Sequence, residues 1–232
     1  MAADASANPA FYSLPDDGGE IVAVHDGGNG PVWGRSFLGN PLVEPPPVEG
    51  RTVCWSGWFD DDETGVRTWS DAGWSAFRAW LTGALPRARD AGGTVVVRPR
   101  ATHVLSDPQR CYAILEEFDE PAMGVLLDPV GMLAPSMLGF AEDHLRRAFG
   151  AIGRHPRLAG VVLSGAWLGT GETRVKPTSL LMDRADGGRV NARDVVSLYA
   201  ELTPPGTPVF LVGPGASVQA ARVVELLGEV NC

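Results

Sequence analysis

The sequence predicts an α/β protein built on a parallel sheet, either a barrel or an open, doubly wound sheet. The strand candidates are short, continuous apolar runs without polar alternation, which is typical of strands covered by helices on both faces. Helical stripes alternate with these runs from residue 51 onward, which is typical of a β/α repeat. Because no GxGxxG motif follows the first strand, a nucleotide-binding open sheet is disfavoured.

Six segments have the composition of buried strands. They cover residues 21–24, 52–55, 94–97, 125–128, 160–164 and 208–212. A closed (β/α)8 barrel has eight strands and typically about 250 residues. A barrel made from this chain of 232 residues is therefore expected to be incomplete or remodelled, and the repeat is missing on the N-terminal side.

Five helices are predicted between and after these strands. The first carries an apolar stripe over residues 74–88 and contains Pro86, where we expect a kink. The second begins at Asp107 and Pro108, an N-cap followed by proline at the first helical position. The other three have their apolar stripes within residues 141–152, 195–202 and 220–227.

The first fifty residues lack this rhythm. Residues 29–50 are rich in glycine and proline, so we expect an irregular arm packed by Trp33, Phe37 and Leu42. The predicted organisation is an N-terminal arm over residues 1–50 with one short strand, followed by a barrel domain over 51–232. Six strands leave two edges unpaired. We expect the arm to cover that open side or to pack against another subunit, in a homodimer or a heteromer.

Composition limits the classes of partner. Nineteen basic and 28 acidic side chains give a formal charge of −9, which argues against nucleic acid and a membrane surface as partners. The most apolar stretch, residues 122–141, contains Asp128 and two prolines, so no membrane span is expected. Three widely spaced cysteines predict neither a zinc site nor a disulfide framework. No signal peptide is recognised, and we expect a cytoplasmic location.

In both candidate architectures, ligands bind at the carboxyl ends of the strands. Polar and aromatic residues at or just after those ends are His25, Trp55, Trp58, Arg98, Arg100, His103, Asp128, Ser164 and Trp167, with Arg174 and Lys176 in the following loop. Neither a Gly-x-Ser-x-Gly nor an HExxH motif is present. The sequence therefore predicts where a site lies but does not define its reaction.

The charged candidates have two interpretations each. Asp128 is either a catalytic base or a turn residue that caps nearby amides. Arg98 and Arg100 either clamp a carboxylate or a phosphate, or Arg98 pairs with Asp128 for structural reasons. In the first case, Arg174 and Lys176 are candidates to complete the clamp.

The remaining candidates are histidines, aromatic residues and a serine. His25 and His103 are candidate acid or base groups, although a single histidine is more often a packing or hydrogen-bonding residue. Trp55 and Trp58 are either packing residues or a platform for a sugar ring. Ser164 and Trp167 are further candidate substrate contacts.

The order of several motifs resembles a known family. These motifs are the Val95–Arg100 strand end, the helix start at Asp107 and Pro108, the strand that ends at Asp128 and Pro129, the glycine-rich turn at 186–191 and the strand at 208–212. The pattern is similar to that of the xylose isomerase-like TIM barrels, the sugar phosphate isomerases and epimerases, over roughly residues 51–230. The resemblance implies a TIM-type (β/α) barrel, shortened at its N-terminus.

The resemblance also implies a divalent metal held by Glu, Asp, His and Glu at four strand ends. At those positions this sequence has Arg98, Asp128, a strand without histidine over residues 160–164, and Val212. One ligand of four does not hold a divalent ion, and a neighbouring arginine repels it. We therefore expect no bound metal and no cofactor.

Two functions follow as hypotheses. The first is an isomerase, epimerase or lyase that acts without a metal on a small polar, anionic substrate. Its anion site would contain Arg98 and Arg100, its base would be Asp128, and its acid would be His25 or His103. The second is a non-catalytic homologue that binds a ligand or supports an intact, catalytic barrel subunit. The polar strand ends favour the first hypothesis, and the lost metal ligands favour the second.

Overall fold

A computed structural model describes residues 9–15, 18–24, 31–37, 39–48, 50–61, 65–182 and 190–230. The candidate His25 and residues 186–189 of the predicted glycine-rich turn lie outside these ranges. Within them, no helix has the length and hydropathy needed to span a membrane.

The described residues form a large sheet, a small hairpin and five α-helices. The strands are β1 (Phe11–Leu14), β2 (Gly19–Glu20), β3 (Val22–Ala23), β4 (Arg35–Phe37), β5 (Arg51–Trp55), β6 (Thr94–Arg98), β7 (Met123–Leu127), β8 (Leu158–Leu163), β9 (Gly165–Trp167), β10 (Lys176–Thr178) and β11 (Val209–Val212). The helices are α1 (Asp71–Asp90), α2 (Pro108–Glu117), α3 (Ala141–Ile152), α4 (Ala192–Leu202) and α5 (Ala216–Val230), with a 3₁₀ helix over Pro135–Phe140.

The order of the strands is that of a barrel. β4, β5, β6, β7, β8, β11 and β1 are neighbours in this order, and all of them run parallel. Residues 19–23 span the remaining gap, because β2 pairs with β4 and β3 pairs with β1, both antiparallel. The sheet is therefore a nearly closed barrel, and the predicted α/β barrel class is confirmed.

The structure differs from the sequence-based expectation near the N-terminus. β1 and β4 were not predicted, and they pair with β11 and β5, the two outer members of the five predicted strands that run parallel in the sheet. The strand expected at residues 21–24 is instead the short antiparallel β3, in which Val22 is 55% exposed. β4 lies in the segment expected to be irregular. Its sequence, Arg-Ser-Phe, contains no apolar run, and its pairing with β5 and β2 defines it as a strand.

Aromatic rings fill the interior of the barrel. Tyr12 and Phe210 stack with their ring centroids 5.2 Å apart, and Trp33 meets Phe210 edge-on at 4.6 Å. Gly160 leaves the space for this cluster, since a Cβ atom there would lie 2.6 Å from the Phe210 ring. Tyr12 and Trp33 come from the N-terminal segment, so this segment supplies part of the barrel core.

A second apolar layer lies between the sheet and the helices, and it includes Phe77, Leu115 and Phe149. Successive strand residues alternate between this layer and the barrel interior. Along β5, Val53 belongs to the interior cluster and Cys54 to the outer one. The alternation turns the last side chain of the strand, Trp55, towards the interior at the carboxyl end of the barrel.

Deletion of residues 1–50 removes β1 to β4 together with Tyr12 and Trp33. We expect the remaining chain to lose cooperative thermal unfolding and to aggregate, because β5 and β11 become open edges. Circular dichroism and light scattering measure the two properties. Deletion of residues 1–8, which keeps every strand named above, is the matched control. A fragment of residues 51–232 that stays monomeric and melts cooperatively would contradict the role of the N-terminal strands.

Candidate functional site

Four predicted residues lie together at the carboxyl end of the barrel. Trp55 and Arg98 are the last residues of β5 and β6, and they are paired in register. Asp128 directly follows β7, and Ser164 directly follows β8. All four residues are buried. Because β5 to β8 are parallel neighbours, these side chains share one mouth of the barrel.

Arg98 and Asp128 form a buried ion pair. The guanidinium Nε donates to Oδ2 of Asp128 at 2.7 Å, and Nη2 lies 2.6 Å from the same oxygen. The other carboxylate oxygen, Oδ1, accepts a hydrogen bond from the backbone N–H of Gly131 at 2.8 Å. Only glycine fits at position 131, since a Cβ atom would lie 2.6 Å from Oδ2. Of the two interpretations of Arg98, this geometry agrees with the structural pair.

Trp55 supports two arginines. The guanidinium carbon of Arg98 lies 4.7 Å from the centroid of the Trp55 ring, and that of Arg100 lies 5.2 Å from it. A guanidinium over an indole face is attracted by the ring electrons. Trp55 therefore contacts the guanidinium groups of both arginines, and Asp128 neutralises that of Arg98.

The imidazole ring of His103 packs against two tryptophans. It stacks on Trp58 with the ring centroids 4.7 Å apart, and it is perpendicular to Trp55 with the centroids 5.0 Å apart. Burial, followed by the positive charges of Arg100, Arg174 and Arg98, lowers the pKa of His103 well below its usual value. His103 is therefore a neutral imidazole at neutral pH. A neutral imidazole can accept a proton, so the predicted role as an acid does not fit this environment.

The Nδ1 atom of His103 is buried and has no hydrogen-bond partner in the described part of the chain.

Asn40 fixes the backbone of Trp58, whose ring covers His103. The backbone N–H of Trp58 donates to Oδ1 of Asn40 at 3.3 Å, and Nδ2 of Asn40 donates to the carbonyl oxygen of Trp58 at 2.6 Å. Asn40 was not predicted as a site residue. It stands between Gly39 and Pro41, a turn-like context that carries no signal for a role at the mouth.

A cavity of about 690 Å³ opens at this mouth, which is within the usual size range of small-molecule sites. The loop after β6, the loop after β7 and the β9–β10 hairpin line it, together with Trp69 from the segment before α1. Arg100 and Arg174 belong to the lining, and the described lining residues include no Asp or Glu. Sequence reasoning missed Trp69, which follows no strand. We refer to this space as the mouth cavity.

Of the predicted residues that the structure describes, Arg100 and Arg174 line the mouth cavity, whereas Trp55, Trp58, Arg98, His103, Asp128, Ser164, Trp167 and Lys176 are not among its lining residues. Trp167 and Lys176 face each other across the β9–β10 hairpin, with Nζ of Lys176 5.3 Å from the Trp167 ring. The same Nζ lies 2.9 Å from a carboxylate oxygen of Glu172. Ser164 is fully buried, and its Oγ has no hydrogen-bond partner among the described residues. Neither hairpin residue lines the cavity, whereas Arg174 of the same hairpin does.

The residues at the strand ends do not fit the divalent metal that the family resemblance implies. Both oxygens of Asp128 already accept hydrogen bonds, one of them from the Arg98 guanidinium. Within the described ranges, no group of three His, Cys, Asp or Glu residues is arranged to hold a metal ion. A cation placed beside Asp128 would also meet the positive charge of Arg98.

A second cavity of about 450 Å³ lies on the flank of the barrel between α2 and α3. Its described lining has two arginines, Arg154 and Arg157, and two carboxylates, Glu116 and Asp119, and Nη2 of Arg157 lies 3.6 Å from Asp119. This balance of charge does not point to a ligand, so the candidate site is the mouth cavity.

No family model and no curated protein matches the sequence. Among solved structures, the fold is similar to a xylose isomerase-like TIM barrel protein from Mycobacterium smegmatis in complex with magnesium. The two are 14% identical, with a TM-score of 0.45 over 78% of this chain and 61% of that chain. Mannonate dehydratase from Streptococcus suis serotype2 is 11% identical, with a TM-score of 0.48 over 82% of this chain and 68% of that chain.

A third similar structure is a xylose isomerase-like TIM barrel/4-hydroxyphenylpyruvate dioxygenase fusion protein. It is 16% identical, with a TM-score of 0.46 over 77% of this chain and 27% of the fusion protein. This chain thus spans 61% of the length of the Mycobacterium smegmatis protein. Two of the three structures carry the description of the family that the sequence resembles, and the likeness is one of fold.

Replacing one member of the buried ion pair leaves the other charge buried alone. We expect Arg98→Met and Asp128→Leu each to lower the free energy of unfolding by about 3 to 5 kcal/mol. The double variant should recover most of that loss, because it leaves no isolated charge. Urea unfolding measures the free energy of unfolding of the two single variants and of the double variant.

The exposed ion pair of Arg146 and Glu201, 3.0 Å apart, provides the matched control. Arg146→Met should change the free energy of unfolding by no more than about 1 kcal/mol. A double variant of Arg98 and Asp128 whose loss equals the sum of the two single losses would show that these side chains are not coupled.

Proposed function

We propose that this chain binds a small organic anion at the mouth of its barrel, through Arg100 and Arg174 and without a metal ion. The observation that carries the proposal is the charge of the mouth cavity, whose described lining has two guanidinium groups and no carboxylate. Arg174 is exposed and forms no ion pair with the described part of the chain. A guanidinium binds carboxylate or phosphate with two parallel hydrogen bonds, which suits it to such a ligand.

In this proposal the buried pair positions the anion site. Asp128 balances the charge of Arg98, and both Arg98 and Arg100 contact the ring of Trp55. The carboxylate of Asp128 is engaged on both oxygens, so we assign it a positioning role in place of the role of base that the sequence indicated. Arg98 likewise positions its neighbour, and Arg100 and Arg174 contact the anion.

A second candidate function adds catalysis next to this site, by His103, which follows the lining residue Thr102 but does not itself line the cavity. It is proton transfer of the isomerase, epimerase or lyase type, and the observation in its favour is the neutral imidazole of His103 with an unpartnered Nδ1. His103 would take a proton from the carbon next to a carbonyl group, and the electron pair would move onto the carbonyl oxygen. The guanidinium of Arg100 would stabilise that oxyanion, and His103 would return the proton to carbon.

This catalytic candidate requires a ligand to reach Nδ1 past Trp58, which stacks on the imidazole. Without proton transfer, the chain is a binding protein, either alone or beside a catalytic barrel subunit. Both candidates share the anion site, so they are tested in sequence.

Anions that bind the mouth cavity should raise the melting temperature by mass action. Inorganic phosphate, acetate and glucose 6-phosphate are suitable probes in differential scanning fluorimetry, with chloride at equal ionic strength as the reference. We expect Arg174→Gln to weaken their binding about tenfold or more, because it removes a charge-assisted contact. EDTA should leave the binding unchanged, since no metal takes part.

Arg222→Gln is the matched control, since Arg222 lies on α5 and pairs with Glu225 away from the cavity. This variant should bind the anions as the parent chain does. Equal temperature shifts for the parent chain and Arg174→Gln would overturn the proposal, as would a shift that EDTA abolishes.

Proton transfer by His103 should appear as exchange of carbon-bound hydrogen. The chain is incubated in D2O with short 2-oxo and 2-hydroxy acids, and the loss of their C–H signals is followed by NMR. Exchange should vanish in His103→Gln and persist in His144→Gln, a histidine on α3 outside the mouth cavity. Exchange that is equal in both variants would leave His103 without a catalytic role.

The pH profile of this exchange tests the same assignment. The pKa of His103 is lowered, so its basic, neutral form persists as the pH falls through about 6.5, where an ordinary histidine is half protonated. The rate should therefore be flat from about pH 8 to below 6.5 and decline only at still lower pH. A midpoint near 6.5 or above would contradict the environment described for His103.

A further inference from the structure

Most of the mouth cavity is lined by residues without polar side-chain atoms. Among the described lining residues, Thr102 and Thr173 are the ones besides Trp69 and the two arginines that have polar side chains. The remaining lining residues are Ala101, Gly131, Leu133, Ala134, Pro135 and Val175. A ligand with a hydroxyl group on every carbon would lose hydrogen bonds to water here and find few replacements.

Trp69 is a large aromatic side chain that stays 37% exposed at the rim of the mouth cavity. Its Nε1–H donates to the carbonyl oxygen of Ala101 at 3.1 Å, which fixes the plane of the indole ring. Gly65, at φ +81°, packs against the same ring, since a Cβ atom there would lie 2.6 Å from it. The ring is therefore held in one orientation before any ligand arrives. Such a surface costs little side-chain entropy on binding.

The size of the cavity adds to this argument. A volume of about 690 Å³ exceeds what a bare phosphate or acetate fills, so the ligand of this site has room for a body beyond its charged group. The charged end of such a ligand is fixed by Arg100 and Arg174, and the apolar lining receives the rest.

We propose that the ligand is an amphipathic organic anion, with its carboxylate or phosphate head on Arg100 and Arg174 and an apolar body against Trp69 and Pro135. This inference rests on the proposed anion binding and specifies the class of anion. It sets the site apart from one built for a polyhydroxylated sugar phosphate, which would need polar groups along the whole cavity.

Isothermal titration of the full chain with acetate, butanoate, hexanoate and octanoate tests the apolar body at constant charge. We expect binding to tighten by about two- to fourfold for each buried methylene group. Hexyl phosphate and glucose 6-phosphate form a second pair with the same head and the same number of carbons. Hexyl phosphate should bind more tightly, and whichever head binds better identifies the preferred anion.

Two variants locate the apolar body. Trp69→Ala should weaken octanoate more than hexanoate and hexanoate more than butanoate, because the contact with the indole face grows with chain length. Pro135→Ser changes the rim of the mouth cavity without removing the Trp69 hydrogen bond. Its loss of affinity should also grow with the chain length of the carboxylate but should be smaller than that of Trp69→Ala. Arg174→Gln should instead weaken all members of the series by a similar factor, since all share the charged head.

The outcomes separate the two proposals. If Arg174→Gln weakens every anion, yet affinity does not rise with chain length and glucose 6-phosphate binds at least as tightly as hexyl phosphate, this inference is wrong and the anion site stands. If no anion binds in a way that depends on Arg174, both proposals fail.

Discussion

The buried ion pair of Arg98 and Asp128 is the interaction on which the mouth of the barrel depends. A buried guanidinium requires a carboxylate, because an isolated charge in the interior costs several kcal/mol. Asp128 meets this requirement and also accepts the N–H of Gly131, which shapes the loop after β7. The carbonyl oxygen of Gly131 accepts the N–H of Ala101 at 2.9 Å, which joins the loop after β6 to it. One carboxylate thus orders two of the loops that line the mouth cavity.

The charges of the mouth have a second consequence. Burial is the main cause of the lowered pKa of His103, and the positive charges of Arg100, Arg174 and Arg98 lower it further. The two arginines of the proposed anion site therefore also disfavour a proton on His103. In a metal-dependent barrel, a cation held by carboxylates stabilises developing negative charge. Here the described lining of the mouth cavity carries the guanidinium groups of Arg100 and Arg174, and both oxygens of Asp128 are engaged by Arg98 and Gly131. We therefore propose anion recognition as the chemistry of this site, with proton transfer through an uncharged base as the second candidate.

The N-terminal segment closes the barrel with little regular structure. Residues 19–23 pair with β4 at one end and with β1 at the other, so a few hydrogen bonds replace a full β/α unit. Tyr12 and Trp33 compensate by filling the interior against Phe210. The same segment reaches the mouth through Asn40, which fixes Trp58 over His103. The N-terminal segment thus both closes the sheet and positions Trp58 over His103.

By itself, the sequence determined the β/α repeat from residue 51 onward and the position of Arg98, Asp128 and Ser164 at strand ends. Continuous apolar runs and helical stripes are local signals, and the carboxyl end of each run is visible in one dimension. Only the tertiary structure decided that β4 is a strand, because Arg-Ser-Phe has no strand pattern and depends on pairing with β5. It also joined Arg98 to Asp128 and placed Trp69 and Arg174 in the lining of one cavity, since the meeting of distant loops depends on how the barrel closes and leaves no local pattern in the chain.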